Sequence, residues 1–182
     1  MRTVKDDLEI DWLTRACEIT AQTLNDVFRA AQTGMREKDL AAILEYGLVC
    51  RGSSGSSFLQ AASGPNAVNI HFGATDRKLE KGDILVFDIG GYWEGYTSDI
   101  SRTIPAAGRF TKEQAEIYQV VLNSQEAAIA MMIPGALLVD VQQRAEDVLI
   151  EGLVKLGLVT DPGQPVAATL LHPARILSLH RP

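Results

Sequence analysis

The sequence predicts an α+β protein in which helices pack on an antiparallel sheet. Two observations predict it. Apolar residues recur at three- and four-residue steps up to about residue 50 and again after residue 111, the period of helices with one buried face. Between them, residues 84–89 and 96–104 form two extended, β-branched runs joined by glycine-rich turn chemistry, the pattern of a β-hairpin. The chain has 182 residues, enough for one domain with a sizeable core and short for two.

The elements follow in order. Asp6 or Asp7 can cap a first helix whose apolar stripe is Ile10, Leu13, Cys17, Thr20, Leu24, Val27, Phe28 and Ala31, with Gly34 as its stop. A second helix over 37–50 places Leu40, Ile43, Leu44 and Leu48 on one face and ends at Gly52. Gly52-Ser-Ser-Gly-Ser-Ser reads as a loop leading to a strand over 58–62. Ser63-Gly-Pro-Asn66 is a turn, and the alternation over 68–72, which contains His71, suggests a strand or strand edge. Beyond the hairpin, Thr111-Lys-Glu-Gln114 is a capping box opening a third helix that runs toward Pro134-Gly135. Asp140 is expected to cap a fourth, with Val141, Leu149 and Leu153 among its apolar positions and Gly157 as its stop. Residues 1–159 are thereby assigned to the folded domain. Residues 160–182, rich in proline and lacking any period, read as a divergent, poorly ordered tail.

The hairpin carries two acids. A turn centred on Trp93-Glu94 would set Asp88 directly opposite Asp99, with Cβ atoms about 4.5–5.5 Å apart. Facing carboxylates repel unless they share a proton or a cation, for which they are good hard ligands. The plainer alternative is local: Asp88 starts a turn before Gly90-Gly91, and Asp99 caps a backbone bend after Ser98. A register slip of one residue would put the two side chains on opposite faces.

Composition narrows the partners. The formal net charge is −6 and basic residues do not cluster, which argues against nucleic acid. Cys17 and Cys50 lie in apolar helical patterns and read as buried thiols, not a disulfide or metal pair. The N-terminus is charged and the longest apolar stretch is broken by Pro134-Gly135, so neither a secretory signal nor a membrane span is expected. A reducing cytoplasmic setting follows.

Several motifs together resemble the pita-bread metallopeptidases, the family of methionine aminopeptidase, aminopeptidase P and prolidase. They are Lys5-Asp-Asp-Leu-Glu-Ile10, Ser63-Gly-Pro-Asn66 with His71, Gly82-Asp83, Asp88-Ile-Gly90, Gly95-Tyr-Thr-Ser-Asp-Ile-Ser-Arg-Thr103 and Pro134-Gly135. The segment Ser98-Asp99-Ile100-Ser101-Arg102-Thr103 is closest in flavour to the Xaa-Pro peptidases. The resemblance implies that Asp88 and Asp99 take the places of two metal-ligating carboxylates for a pair of divalent ions, Mn, Co or Zn. It implies that His71 takes the place of a histidine that contacts the peptide substrate. Such an ion pair lowers the pKa of a bridging water and polarises the scissile carbonyl.

The family's second half supplies a further histidine, in a Gly-His-rich segment, and two glutamates. Nothing in this sequence matches them, so the expected fold is the first half of the pita-bread catalytic domain. Metal binding is expected to be weak or absent and activity undetectable for these residues alone. The alternative reading is a non-catalytic binding module, or a homodimer formed through the face that the missing half would cover.

Overall fold

In a computed structural model, residues 4–159 are described. The described residues fall into two compact units that divide between Arg109 and Phe110. The first holds α1 (Asp7–Ala30), α2 (Glu37–Cys50), β1 (Ser56–Ser63), a 3-10 helix (Gly64–Val68), β2 (Ile84–Trp93), β3 (Tyr96–Thr97) and β4 (Ile100–Pro105). The second holds α3 (Lys112–Met131) and α4 (Leu138–Lys155). Helices on an antiparallel sheet are what the sequence predicts. The tail assigned to 160–182 lies outside the described residues.

In the first unit β2 is central, with β1 on one side and β3 and β4 on the other, all antiparallel. Its alternation sorts side chains to two faces. Leu85, Phe87 and Ile89 point toward the helices, where they join Ile19, Leu24 and Val27 of α1, Leu40, Leu44 and Leu48 of α2, and Ala61 of β1 in one buried cluster. Burying side chains of this size stabilises by about 1.5–3 kcal/mol each, so this layer fixes the sheet on the helices. The helices pack closely where Gly47 meets Thr23, a spot where a Cβ would lie 2.8 Å from the threonine methyl.

Asp6 caps α1 through a reciprocal capping box with Glu9. The buried stripe is Ala16, Ile19, Thr20, Thr23, Leu24 and Val27. It shares Thr20, Leu24 and Val27 with the predicted stripe, and Phe28 and Ala31 pack against the core as expected, but the N-terminal part differs, with Ala16 and Ile19 buried in place of Ile10 and Cys17. Ile10 is half exposed, and Cys17 and Cys50 are both exposed thiols, not buried ones. Periodicity gives the width of a stripe, but a one-position shift in part of it still satisfies three- and four-residue steps.

The expected strand over 68–72 is absent. That segment is the end of the 3-10 helix followed by a turn. Pro65 at its first turn, with its fixed φ and missing N–H, suits a helical start and not a ladder.

In the second unit, the Thr111–Gln114 capping box opens α3 as predicted. Asp140 does not cap α4, which begins at Leu138 and leaves Asp140 inside its first turn, where an acid still favours the helix dipole. Ile117, Leu149 and Leu153 form the buried contact of the pair. The Ser124 hydroxyl donates to the Ala145 carbonyl at 2.7 Å, and Gly152 admits Val120 where a Cβ would stand 2.4 Å away. Among the described residues no helix is long and apolar enough to cross a membrane.

Candidate metal and substrate site

The hairpin turn is centred on Glu94-Gly95, one position later than predicted. Trp93 pairs with Tyr96 and Tyr92 with Thr97. Glu94 and Gly95 both have positive φ, the requirement of a tight two-residue hairpin turn, and Gly95 meets it without strain. The expected direct facing of Asp88 and Asp99 is therefore incorrect: Asp88 is opposite Ser101 on β4.

The change is by two residues, and a two-residue change preserves the face. Asp99 lies in the break between β3 and β4, but the pairs on either side of it, Tyr92 with Thr97 and Ile89 with Ile100, belong to one register. No residue is inserted, so Asp99 is level with Gly90 and diagonal to Asp88. Diagonal neighbours in an antiparallel sheet are about 7–8 Å apart at the backbone, within joint reach of a shared ligand. The neighbouring Ser98 is pinned on the helix side, its hydroxyl 2.7 Å from that of Thr20 and accepting from the Gly91 N–H at 3.1 Å. Alternation then sends Asp99 to the other face, with Asp88.

Gly90 makes this close approach possible. A Cβ there would lie 2.2 Å from the Ser98 carbonyl oxygen and 2.4 Å from Ser57 Oγ. Gly90 and Gly91 thus serve the strand interior and not the turn to which the sequence assigned them.

Asp88 is half-buried and Asp99 exposed. The Ser101 hydroxyl donates to Asp88 Oδ1 at 2.7 Å. Asp99 accepts no hydrogen bond among the described residues. On the other side of Asp88, its direct partner on β1 is Gln60, which is 3% exposed. Directly opposite residues share a face. Gln60 donates through Nε2 to the Asn69 carbonyl at 3.1 Å and accepts through Oε1 from the Phe72 N–H at 3.3 Å. The turn between those two residues carries His71, so that turn lies over the Asp88 face. His71 is exposed and has φ of 56°, a left-handed conformation uncommon outside glycine and one that concentrates at functional sites.

The ends of the same loop are held by Glu37, a fully buried carboxylate at the start of α2. It accepts from the Ser63 N–H and hydroxyl, both at 2.7 Å, from Asn66 Nδ2 at 3.1 Å, and from the Thr75 N–H at 3.0 Å and hydroxyl at 2.6 Å. Burial pushes its carboxyl up, but the hydrogen bonds from Thr75, Ser63 and Asn66 outweigh burial and hold it below the usual glutamate value. Beside it, Arg77 makes a two-pronged pair with buried Asp83, at 2.5 and 3.1 Å, and donates to Ser63 Oγ at 2.8 Å.

The sequence reading named His71, Asp88 and Asp99; it missed Gln60, Ser101 and Glu37. A signal existed for Gln60, a lone polar residue in the otherwise apolar run Phe58-Leu59-Gln60-Ala61-Ala62. Among the described residues, no group of three or more His, Cys, Asp or Glu side chains gathers in a form that could hold a metal ion. Asp88 and Asp99 bring two carboxylates to one face, short of such a group.

The chain belongs to Metallopeptidase family M24, which it matches over residues 11–180. Among curated relatives it is 36% identical over 164 residues to a probable Xaa-Pro aminopeptidase of Coccidioides posadasii, covering 87% of this chain and 35% of that protein. It is 31% identical over 165 residues to the Xaa-Pro dipeptidase of Homo sapiens, covering 87% and 34%. Among solved structures, Pseudomonas aeruginosa aminopeptidase PepP superposes with a TM-score of 0.86 at 32% identity, over 88% of this chain and 36% of that one. Escherichia coli aminopeptidase P with the inhibitor Pro-Leu gives 0.86 at 33%, over 88% and 37%. The chain thus spans about a third of the length of the relatives it matches.

Proposed function

We propose that this chain contributes the two-aspartate and histidine part of the active site of a metal-dependent Xaa-Pro peptidase. The observation that carries the reading is the common face: Asp88, Asp99 and the turn bearing His71 all lie on the side of the sheet away from α1 and α2. The names of the relatives and the Ser98–Thr103 motif support Xaa-Pro peptides as the substrate class.

The donor chemistry fits a hard divalent ion such as manganese, cobalt or zinc in part. Asp88 and Asp99 offer four carboxylate oxygens, and ions of this kind take four to six or more ligands. The remaining ligands must come from outside the described residues. Bound divalent ions supply Lewis acidity and a water ionised near neutral pH. Asp88 is oriented by the Ser101 hydroxyl, and Asp99 by the pinned backbone at Ser98. His71, on its fixed turn, is placed to hydrogen-bond the peptide carbonyl oxygen and the negative charge that develops on it.

Calorimetric titration of the chain with manganese tests the reading. Weak, saturable binding is expected, and Asp88→Asn and Asp99→Asn should each abolish it. Equal heats from wild type and both variants would remove the metal role from these residues.

A further inference from the structure

The sequence and the family resemblance give no role to Gln60. Its position is nevertheless singular. It is buried, it is the direct cross-strand partner of Asp88, and both ends of its carboxamide are used on one short turn. The donor end meets a carbonyl and the acceptor end meets an N–H, so only one orientation of the amide satisfies both. Those two backbone groups belong to Asn69 and Phe72, which bracket His71.

The restraint is needed because of where His71 sits. Glu37 fixes the loop at Ser63, Asn66 and Thr75, but these anchors leave His71 several residues away from the nearest one. Residues 69–73 form no strand or helix, and His71 has a left-handed backbone, uncommon outside glycine. Without a central tie, a segment of this kind samples many conformations. Gln60 supplies that tie, and it stands on the same rung of the sheet as Asp88.

We propose that Gln60 is the positioning residue of this site: by bridging Asn69 and Phe72 from the rung of Asp88, it sets the placement of His71 relative to the carboxylate pair. Gln60 touches neither substrate nor metal in this role and acts only through the His71 turn. The inference rests on the reading that Asp88 and Asp99 hold the metal and His71 meets the peptide.

The test uses the whole 182-residue chain labelled for NMR, with the His71 ring signal assigned by its disappearance in His71→Gln. Gln60→Met keeps the volume and removes both hydrogen bonds. Its Phe72 amide should exchange about tenfold faster or more, the equivalent of one hydrogen bond of ordinary strength, while the amides of Ser63 and Thr75 keep their protection. With manganese added, affinity should be unchanged. The paramagnetic broadening of the His71 ring should fall relative to that of the Ser101 amide, a change that a purely stabilising residue would not cause. Metal binding with unaltered His71 broadening and unaltered Phe72 exchange in the variant overturns the proposal. If the wild type binds no manganese, the metal reading fails by itself, and exchange decides for Gln60: a rise confined to residues 69–72 upholds its hold on the turn, and none overturns it. Gln60→Glu, which retains the acceptor for Phe72 and loses the donor to Asn69, decides the matter should Gln60→Met not fold. It should keep the Phe72 amide protected while shifting the Asn69 carbonyl carbon and Ile70 amide nitrogen resonances, which report the lost bond to the Asn69 carbonyl, and wild-type shifts at both would overturn the assignment.

Discussion

Asp88 and Ser101 face each other across β2 and β4, with the serine hydroxyl donating to the aspartate at 2.7 Å. This pairing places Asp99 on the diagonal and not opposite, and it gives Asp88 a neighbour that orients its carboxylate while leaving the second oxygen open. On the proposed metal role of Asp88, such a partner changes affinity without binding the ion itself.

Ser101→Ala should therefore weaken manganese binding by about tenfold, the low end of the range for residues that orient a metal ligand, with stability changed by less than about 0.5 kcal/mol because Ser101 is exposed. Calorimetry and urea unfolding on the same samples check the two halves. An unchanged affinity would mean that the hydroxyl does not orient Asp88.

Glu37 makes stability depend on pH. Its folded carboxyl titrates below the ordinary value of 4.5, because hydrogen bonds from Thr75, Ser63 and Asn66 outweigh the burial that raises it. The unfolded chain thus takes up a proton first as pH falls. The contribution of Glu37 is complete above the unfolded value and is lost as pH falls through the folded one. Glu37→Gln should remove this part of the acid limb in urea-unfolding curves taken from pH 6 to pH 3, and an acid limb identical to wild type would refute it. At pH 7 the variant should lose about 3 kcal/mol, since a carboxamide turns donors toward the donors of Ser63 or Thr75.

Arg77 and Asp83 form a largely buried pair, with Asp83 7% exposed. Arg77→Met leaves the buried Asp83 without its counter-charge and should destabilise by about 3 kcal/mol, while Asp83→Leu should cost less because Arg77 keeps Glu80 at 3.7 Å. The double variant should lose clearly less than the two together. Additive losses in a denaturant-based double-mutant cycle would show that the pair does not couple.

Gly90→Ala should do more harm than a usual surface change. The new Cβ would meet the Ser98 carbonyl at 2.2 Å, a backbone atom that moves only by shifting Asp99. A loss of about 3 kcal/mol is expected from overpacking, together with loss of manganese binding. Wild-type values for both would show that β2 and the Ser98–Asp99 segment part easily.

The thiols offer a direct check on the helix faces. Cys17 and Cys50 are both exposed, so both should react with an aromatic disulfide reagent in the native protein. Reaction only after unfolding would restore the buried assignment.

The sequence by itself determined the helices, the hairpin, the acid pair and the family. Caps at Asp6 and Thr111, periodic apolar stripes and two β-branched runs joined by a glycine-containing turn are local signals, and local signals survive without a structure. It also offered His71, Asp88 and Asp99 as candidate site residues. What it misplaced were quantities fixed by contact between distant segments. The turn at Glu94-Gly95 moved the register by two residues, and the faces remained shared only because that number is even. Which residues of the first half of α1 face the core was set by packing in the cluster with Phe87 and Ile89, where Ile19 is buried and Cys17 is left outside. The segment that carries His71 has no periodicity to reveal its shape, because its conformation is imposed by the side chains of Gln60 and Glu37 from elsewhere in the fold. Only the tertiary structure brings His71 to the face of Asp88, since hydrogen bonds between residues far apart in the chain leave no pattern in the sequence around either of them.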